Sequence, residues 1–180
     1  FPYTTLFRSV DVVARTTRIR VARRILVELV AVYLLPLYVI PENTLPPAPW
    51  TNVLANPQFG CLVTEGGLGY TWAGNSQMNR LTPWSNDPIS DAPGEVLYLR
   101  EEDTGEYWTP TPLPLGPMGT VTVRHGQGYT RYTHASRDLE QDLLVFVPPA
   151  DPVKLVCLTL RNDGDRPRHL SVTYYVEWVL

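Results

Sequence analysis

The run EVLYLREEDTGEYWTPT, residues 95–111, shows how this chain is built. Two segments rich in Val, Leu, Tyr and Trp, Glu95–Arg100 and Glu106–Thr111, flank the pentapeptide EEDTG. Side chains of that kind suit a pleated, half-buried surface. A short connection closing on glycine supplies the positive φ that a tight hairpin needs, here at Gly105. The pattern predicts two antiparallel strands.

The same pattern repeats on the C-terminal side. Val121 and Val123 alternate with Thr120, Thr122 and Arg124. Leu143–Val147 and Lys154–Leu160 are apolar strands separated by PPADP, whose prolines cannot donate to a ladder. Asn162-Asp163-Gly164-Asp165 then turns the chain into His169–Val179, rich in Val, Thr and Tyr. No helical stretch separates these strands, which argues against parallel βαβ units. The expectation is an all-β fold, an antiparallel β-sandwich with a turn roughly every ten residues.

Composition agrees. Of 180 residues 44% are hydrophobic and 18% charged, as in an ordinary globular domain, and 18 prolines break up helices. The formal net charge of −3 conceals an asymmetry. Residues 1–45 hold six arginines against Asp11, Glu28 and Glu42, whereas residues 46–180 hold nine basic against fifteen acidic residues. An acidic main body is a poor match for a phosphate backbone, so nucleic acid is not an expected partner. Cys61 and Cys157 lie far apart in apolar surroundings without a neighbouring Cys or His, which fits buried thiols and no metal site.

The N-terminal segment reads differently. Phe1–Ser9, FPYTTLFRS, resembles the conceptual translation of a DNA-sequencing adapter and is expected to stand outside the fold. In residues 10–36 five arginines precede an apolar run from Ile25 to Ile40. That run contains Glu28, is broken by Pro36 and falls short of the roughly 20 apolar residues that span a bilayer. An amphipathic helix, or a continuation of the same artefact, is expected rather than a membrane anchor.

Chemistry-bearing motifs are scarce. The chain has no Gly-rich phosphate loop, HExxH, GxSxG or CxxC, and His125, His134 and His169 lack metal-ligand spacing. His125, in RHGQGYTR, reads as a hydrogen-bonded structural histidine. Asp87, Asp91 and Glu95 are close in sequence, but a glycosidase pair is defined by its separation across a cleft, so solvated loop carboxylates are expected. The segment 69–91, GYTWAGNSQMNRLTPWSNDPISD, is the most unusual. Tyr70, Trp72 and Trp84 can stack on the apolar faces of sugar rings, while Asn75, Arg80, Asn86 and Asp87 can match hydroxyls. These seven residues are the candidate substrate-binding set. Core packing is the competing explanation for the aromatics.

Several long, ordered blocks carry a resemblance: PAPWTNVLANP, YTWAGNS, RLTPWSND, LYLREEDTGEYWTPT, RHGQGYT and YYVEW. From about Leu37 to Leu180 the chain resembles the N-terminal domain of family 94 glycoside phosphorylases, also known as glycosyltransferase family 36. The blocks look most similar to the phosphorylase region of cyclic β-1,2-glucan synthases and to 1,2-β-oligoglucan phosphorylases. The resemblance implies a sandwich of the galactose-mutarotase type preceding an (α/α)6 barrel. It also implies inverting phosphorolysis, in which one carboxylic acid protonates the glycosidic oxygen while inorganic phosphate attacks the anomeric carbon. Phosphate would be a co-substrate of the parent enzyme, with no other cofactor. A β-glucan oligosaccharide, the barrel and a homodimer mate are the implied partners, in the cytoplasm or on the cytoplasmic side of an inner membrane. The barrel, its acid and its phosphate ligands are expected beyond Leu180, so no catalytic residue is assigned. A stand-alone carbohydrate-binding sandwich is the alternative.

Overall fold

A computed structural model describes residues 8–14, 37–42, 44–87 and 89–179. Twelve strands are present among them: β1 (Arg8–Ala14), β2 (Leu37–Ile40), β3 (Thr51–Ala55), β4 (Phe59–Thr64), β5 (Tyr70–Ala73), β6 (Glu95–Glu101), β7 (Tyr107–Trp108), β8 (Val121–Gly126), β9 (Tyr129–Ser136), β10 (Leu139–Phe146), β11 (Leu155–Asn162) and β12 (Arg168–Val176). Every pairing between them is antiparallel, and no helix occurs among the described residues. The chain is an all-β antiparallel sandwich.

Three sheets build it, in the orders β1-β12-β6-β7, β11-β10-β9-β8-β2 and β3-β4-β5. The five-stranded sheet forms one layer, and the other two sheets pack over it. Alternation writes this into the sequence. In β10, Leu139, Gln141, Leu143 and Val145 are buried while Glu140 is exposed. The main core joins Val121, Val123, Tyr132, Leu143 and Val145 to Leu54, Cys61 and Val63 of the three-stranded sheet and Leu97 of β6. A second cluster unites Leu99, Trp108 and Leu170 with Leu139 and Leu160. Each such side chain contributes about 1.5–3 kcal/mol on full burial.

The hairpin predicted at residues 95–111 forms, with Leu99 opposite Trp108 and Arg100 opposite Tyr107. Gly105 has φ +77° and its N–H donates to the Glu101 carbonyl at 2.8 Å. Its second strand is shorter than expected, because Pro110 and Pro112 have no N–H to continue the ladder. The turn 162–165 does more than reverse the chain. It carries the chain from the edge strand of the five-stranded sheet, β11, to β12 in the opposite layer.

Two expectations about the N-terminus meet one observation. Arg8–Ala14, RSVDVVA, runs as a strand along the outer edge of β12, with Val12 opposite Leu170. Over those residues the chain is extended rather than helical, consistent with the β-branched Val10, Val12 and Val13. Residues 1–7 and 15–36, which carry the rest of both expectations, lie outside the described residues. No helix of the described residues is long and apolar enough to cross a membrane.

Candidate carbohydrate-facing site

Four of the seven candidates, Tyr70, Trp72, Arg80 and Trp84, come together over the outer face of the sheet β3-β4-β5, whereas Asn75 and Asp87 bond only within their own turns. Tyr70 lies opposite Leu62 and Trp72 opposite Gly60, so both rings point away from the main core. Gly60 is required by that arrangement: a Cβ there would overlap the Trp72 indole. Trp72 thus lies flat against bare backbone.

The loop that follows folds back over these rings. The Gly74 N–H donates to the Gln58 carbonyl at 2.7 Å, the Ala73 N–H to Asn79 at 3.1 Å, and Trp72 and Arg80 form an antiparallel bridge. Trp84 is thereby laid on Tyr70, with centroids 4.9 Å apart and planes 10° from parallel, while Trp72 tilts against the same ring at 5.1 Å and 38°. The Arg80 guanidinium sits 5.9 Å from the Tyr70 centroid and 5.8 Å from that of Trp84. Such stacked aromatic and cation–π contacts each contribute about 0.5–1.5 kcal/mol.

Burial divides the seven candidates. Tyr70 and Trp72 are only 5% and 9% exposed, and both Trp84 and Trp72 pack against the Tyr70 ring. Trp84 and Arg80 are half-buried, whereas Asn75, Asn86 and Asp87 are exposed. Asn75 Oδ1 accepts the Gln77 and Met78 N–H groups at 2.9 Å. Asp87 accepts the Ile89 N–H at 2.9 Å and the Ser90 hydroxyl at 2.8 Å, and these bonds hold its carboxyl below the usual range. Asn86 has φ +52°. The groups at the surface of this set are Trp84, Arg80, the Asn75 amide, Asn86 and Asp87.

Beneath the loop lies a polar cluster that the sequence did not announce. Glu95 is 3% exposed; it pairs with Lys154 and accepts hydrogen bonds from the Thr71 and Tyr174 hydroxyls. The Thr82 hydroxyl donates to Glu95 at 3.2 Å and accepts the Thr71 N–H at 2.8 Å. Lys154 also donates to Thr71 Oγ1 at 2.7 Å. Burial pushes the Glu95 carboxyl up, but Lys154 and the hydroxyl donors outweigh it and hold the group ionised. The cluster ties β5, the loop, β6, β12 and the lead-in to β11 together. Lys154 and Tyr174 are 59 and 79 residues from Glu95, so no local motif could have revealed them.

The acidic trio Asp87, Asp91 and Glu95 does not form a catalytic pair. Glu95 is locked in an ion pair, Asp87 caps a turn, and Asp91 accepts the Thr64 hydroxyl at 2.6 Å with its carboxyl raised by burial. His125 is buried between Thr130 Oγ1 at 3.0 Å and the Trp50 carbonyl at 3.2 Å, and burial pushes its imidazolium down. Among the described residues no three His, Cys, Asp or Glu side chains come together as metal ligands.

Residues 37–180 match the glycosyl hydrolase 94 supersandwich domain. The chain belongs to this family. Over 135 residues it is 39% identical to the cyclic beta-(1,2)-glucan synthase NdvB of Rhizobium meliloti (strain 1021), covering 74% of this chain and 5% of that protein. It is 29% identical over 135 residues to the N,N'-diacetylchitobiose phosphorylase of Vibrio furnissii, covering 73% of this chain and 17% of the relative. The solabiose phosphorylase of Paenibacillus borealis is 31% identical over 141 residues, 77% of this chain and 18% of the relative. The chain therefore spans less than a fifth of each of these proteins. As a family 94 supersandwich, the chain matches the family from Leu37, where β2 begins, onward through β12.

Proposed function

We propose that this chain is the non-catalytic sandwich of a family 94 enzyme that acts on β-1,2-linked glucan by inverting phosphorolysis. The observation that carries the reading is the 39% identity to a cyclic beta-(1,2)-glucan synthase across 135 residues. The acid that protonates the glycosidic oxygen and the groups that hold phosphate belong to a helical barrel elsewhere in the parent enzyme. In keeping with that division, each buried acid of this chain whose partners are described above is committed to an internal partner.

The sandwich contributes a sugar-facing surface at the loop 74–87. Trp84 and Arg80 form its rigid part, because Tyr70 and Trp72 back them and the Glu95–Lys154 cluster fixes the base of the loop. Asn75, Asn86 and Asp87 supply exposed polar groups in the turns that flank that stack in the chain. Aromatic stacking with a ring of amide and carboxylate partners is the chemistry that neutral sugars require.

The test is a paired assay on residues 37–180 with β-1,2-gluco-oligosaccharide. The chain should bind the sugar, and should release no glucose 1-phosphate when phosphate is added. Trp84→Ala and Arg80→Ala should each weaken binding several-fold with little loss of melting temperature. Phosphorolysis by the chain alone, or binding indifferent to both substitutions, would overturn the reading.

A further inference from the structure

At the other end of β6, about 20 Å from Glu95 at ~3.4 Å per residue, the molecule holds a concave feature. It is a cleft of about 460 Å³ between the β6–β7 hairpin, the β9–β10 hairpin tip and the β11–β12 crossing. That volume falls in the range of small-ligand sites, roughly 300–1,000 Å³. At its floor Arg168 is paired with Glu101 and also donates to the Arg137 carbonyl.

The tip of the β9–β10 hairpin carries an anomaly. Its two central residues, Arg137 and Asp138, have φ of +55° and +57°. A two-residue turn with both φ positive is normally filled by Asn-Gly or Gly, because a Cβ is disfavoured there. The fold tolerates the pair because Arg168 holds the first carbonyl and the Asp163 N–H donates to the second at 2.8 Å. The Arg137 guanidinium lies 4.9 Å from the Trp108 centroid and is thereby held in place at the cleft wall. Side chains kept at strained backbone positions concentrate at binding sites.

Charge selects the ligand class. On the walls Glu106, Asp138 and Asp165 stand with Arg137, Arg166 and Asn162, so both charge signs are present and nearly balanced; Glu106 faces Arg137 Nε at 3.4 Å, and the Asn162 amide donates to the Arg166 carbonyl at 2.7 Å. Carboxylates repel phosphate, and guanidiniums repel cations. A neutral polyol satisfies both sets, since each hydroxyl donates and accepts. We propose that this cleft is a second oligosaccharide subsite, remote from the loop 74–87, that holds a β-linked glucan chain at the other end of β6. The proposal rests on the carbohydrate reading above and extends it to a site that contains none of the seven candidate sugar-binding residues.

The experiment is a titration of 15N-labelled chain with β-1,2-linked glucopentaose, followed by amide shifts. Thr104, Gly164 and Asp165 should move in a saturable manner. Arg166→Ala should weaken that response at least fivefold. Asp138→Gly should weaken it too while the melting temperature holds or rises, because glycine relieves the turn; a merely structural Asp138 would leave binding unchanged. Shifts confined to residues 74–87 would overturn the cleft and leave the proposed function standing. Equal shifts at the cleft with inorganic phosphate alone would mark an anion site and also overturn it. No shift anywhere would sink both.

Discussion

The ammonium of Lys154, at the entrance to β11, is inserted against the carboxylate of Glu95 at the start of β6, and both side chains are under 10% exposed. The pair bridges the two layers at the base of the aromatic loop. Breaking a buried pair by removing one partner strands the other charge, which costs about 3–5 kcal/mol. Lys154→Met should therefore lower unfolding free energy by that order in urea titrations. The double variant Lys154→Met, Glu95→Gln should recover much of the loss, since no charge then remains buried. A single variant with unchanged stability would show that the pair does not hold the loop.

Glu95 also sets an acid limit. Its carboxyl lies below the usual glutamate range when folded, despite burial, because Lys154 and the surrounding hydroxyls favour the ion. A group of that kind contributes stability above its unfolded pKa and loses it as pH falls through the folded value. The Lys154→Met variant should therefore show a weaker acid-side decline than the parent chain in melts taken below pH 4.5.

His134 acts at higher pH. Gln141 donates to its Nε2 at 3.0 Å, which leaves the proton on a buried Nδ1 that has no partner. Burial, with help from Arg137, pushes the imidazolium down to about 4 from 6.5. The unfolded chain then binds a proton that the folded chain refuses, so stability should fall as pH drops from 6.5 toward 4. The full effect is on the order of 3 kcal/mol at about 1.4 kcal/mol per pH unit. His134→Gln should flatten the melting temperature across that interval; a profile unchanged by the substitution would exclude His134 as its source.

Gly60→Ala tests the aromatic face. The added methyl would meet the Trp72 ring and the Ala55 side chain. Overpacking of this kind costs about 1–3 kcal/mol. Tryptophan fluorescence should shift with the melting temperature. An alanine accepted without either change would mean that Trp72 is free to leave Gly60.

The two thiols should separate kinetically. Cys61 is fully buried and burial pushes its pKa up to about 11, whereas Cys157 is half-buried and raised less. Because the thiolate is the reactive form, a thiol reagent at pH 8 should modify Cys157 in the native chain and reach Cys61 only through unfolding. Simultaneous modification of both would contradict the packing of β4.

Strand identity was legible in the sequence because it is local. The β-rich composition of EVLYLR, the apolar run Leu143–Val147, the prolines of PPADP and the glycine of EEDTG each act within a few residues and each pointed to a strand or turn that forms, although β10 begins four residues earlier, at Leu139. The aromatic cluster was legible as composition, since Tyr70, Trp72, Arg80 and Trp84 sit within fifteen residues. What each of them faces was not. Whether a ring meets solvent or another ring depends on a loop closing over β5, and that closure depends on Lys154 and Tyr174. A strand pattern fixes which side chains share a face, yet leaves open which sheet lies against it. Ion pairs, cleft walls and the crossing at residues 162–165 join residues tens of positions apart. The sequence alone therefore determined an antiparallel all-β chain with a family 94 signature. Only the tertiary structure decided that Tyr70 and Trp72 back the surface rather than form it, because burial and pairing are set by segments that meet only on folding.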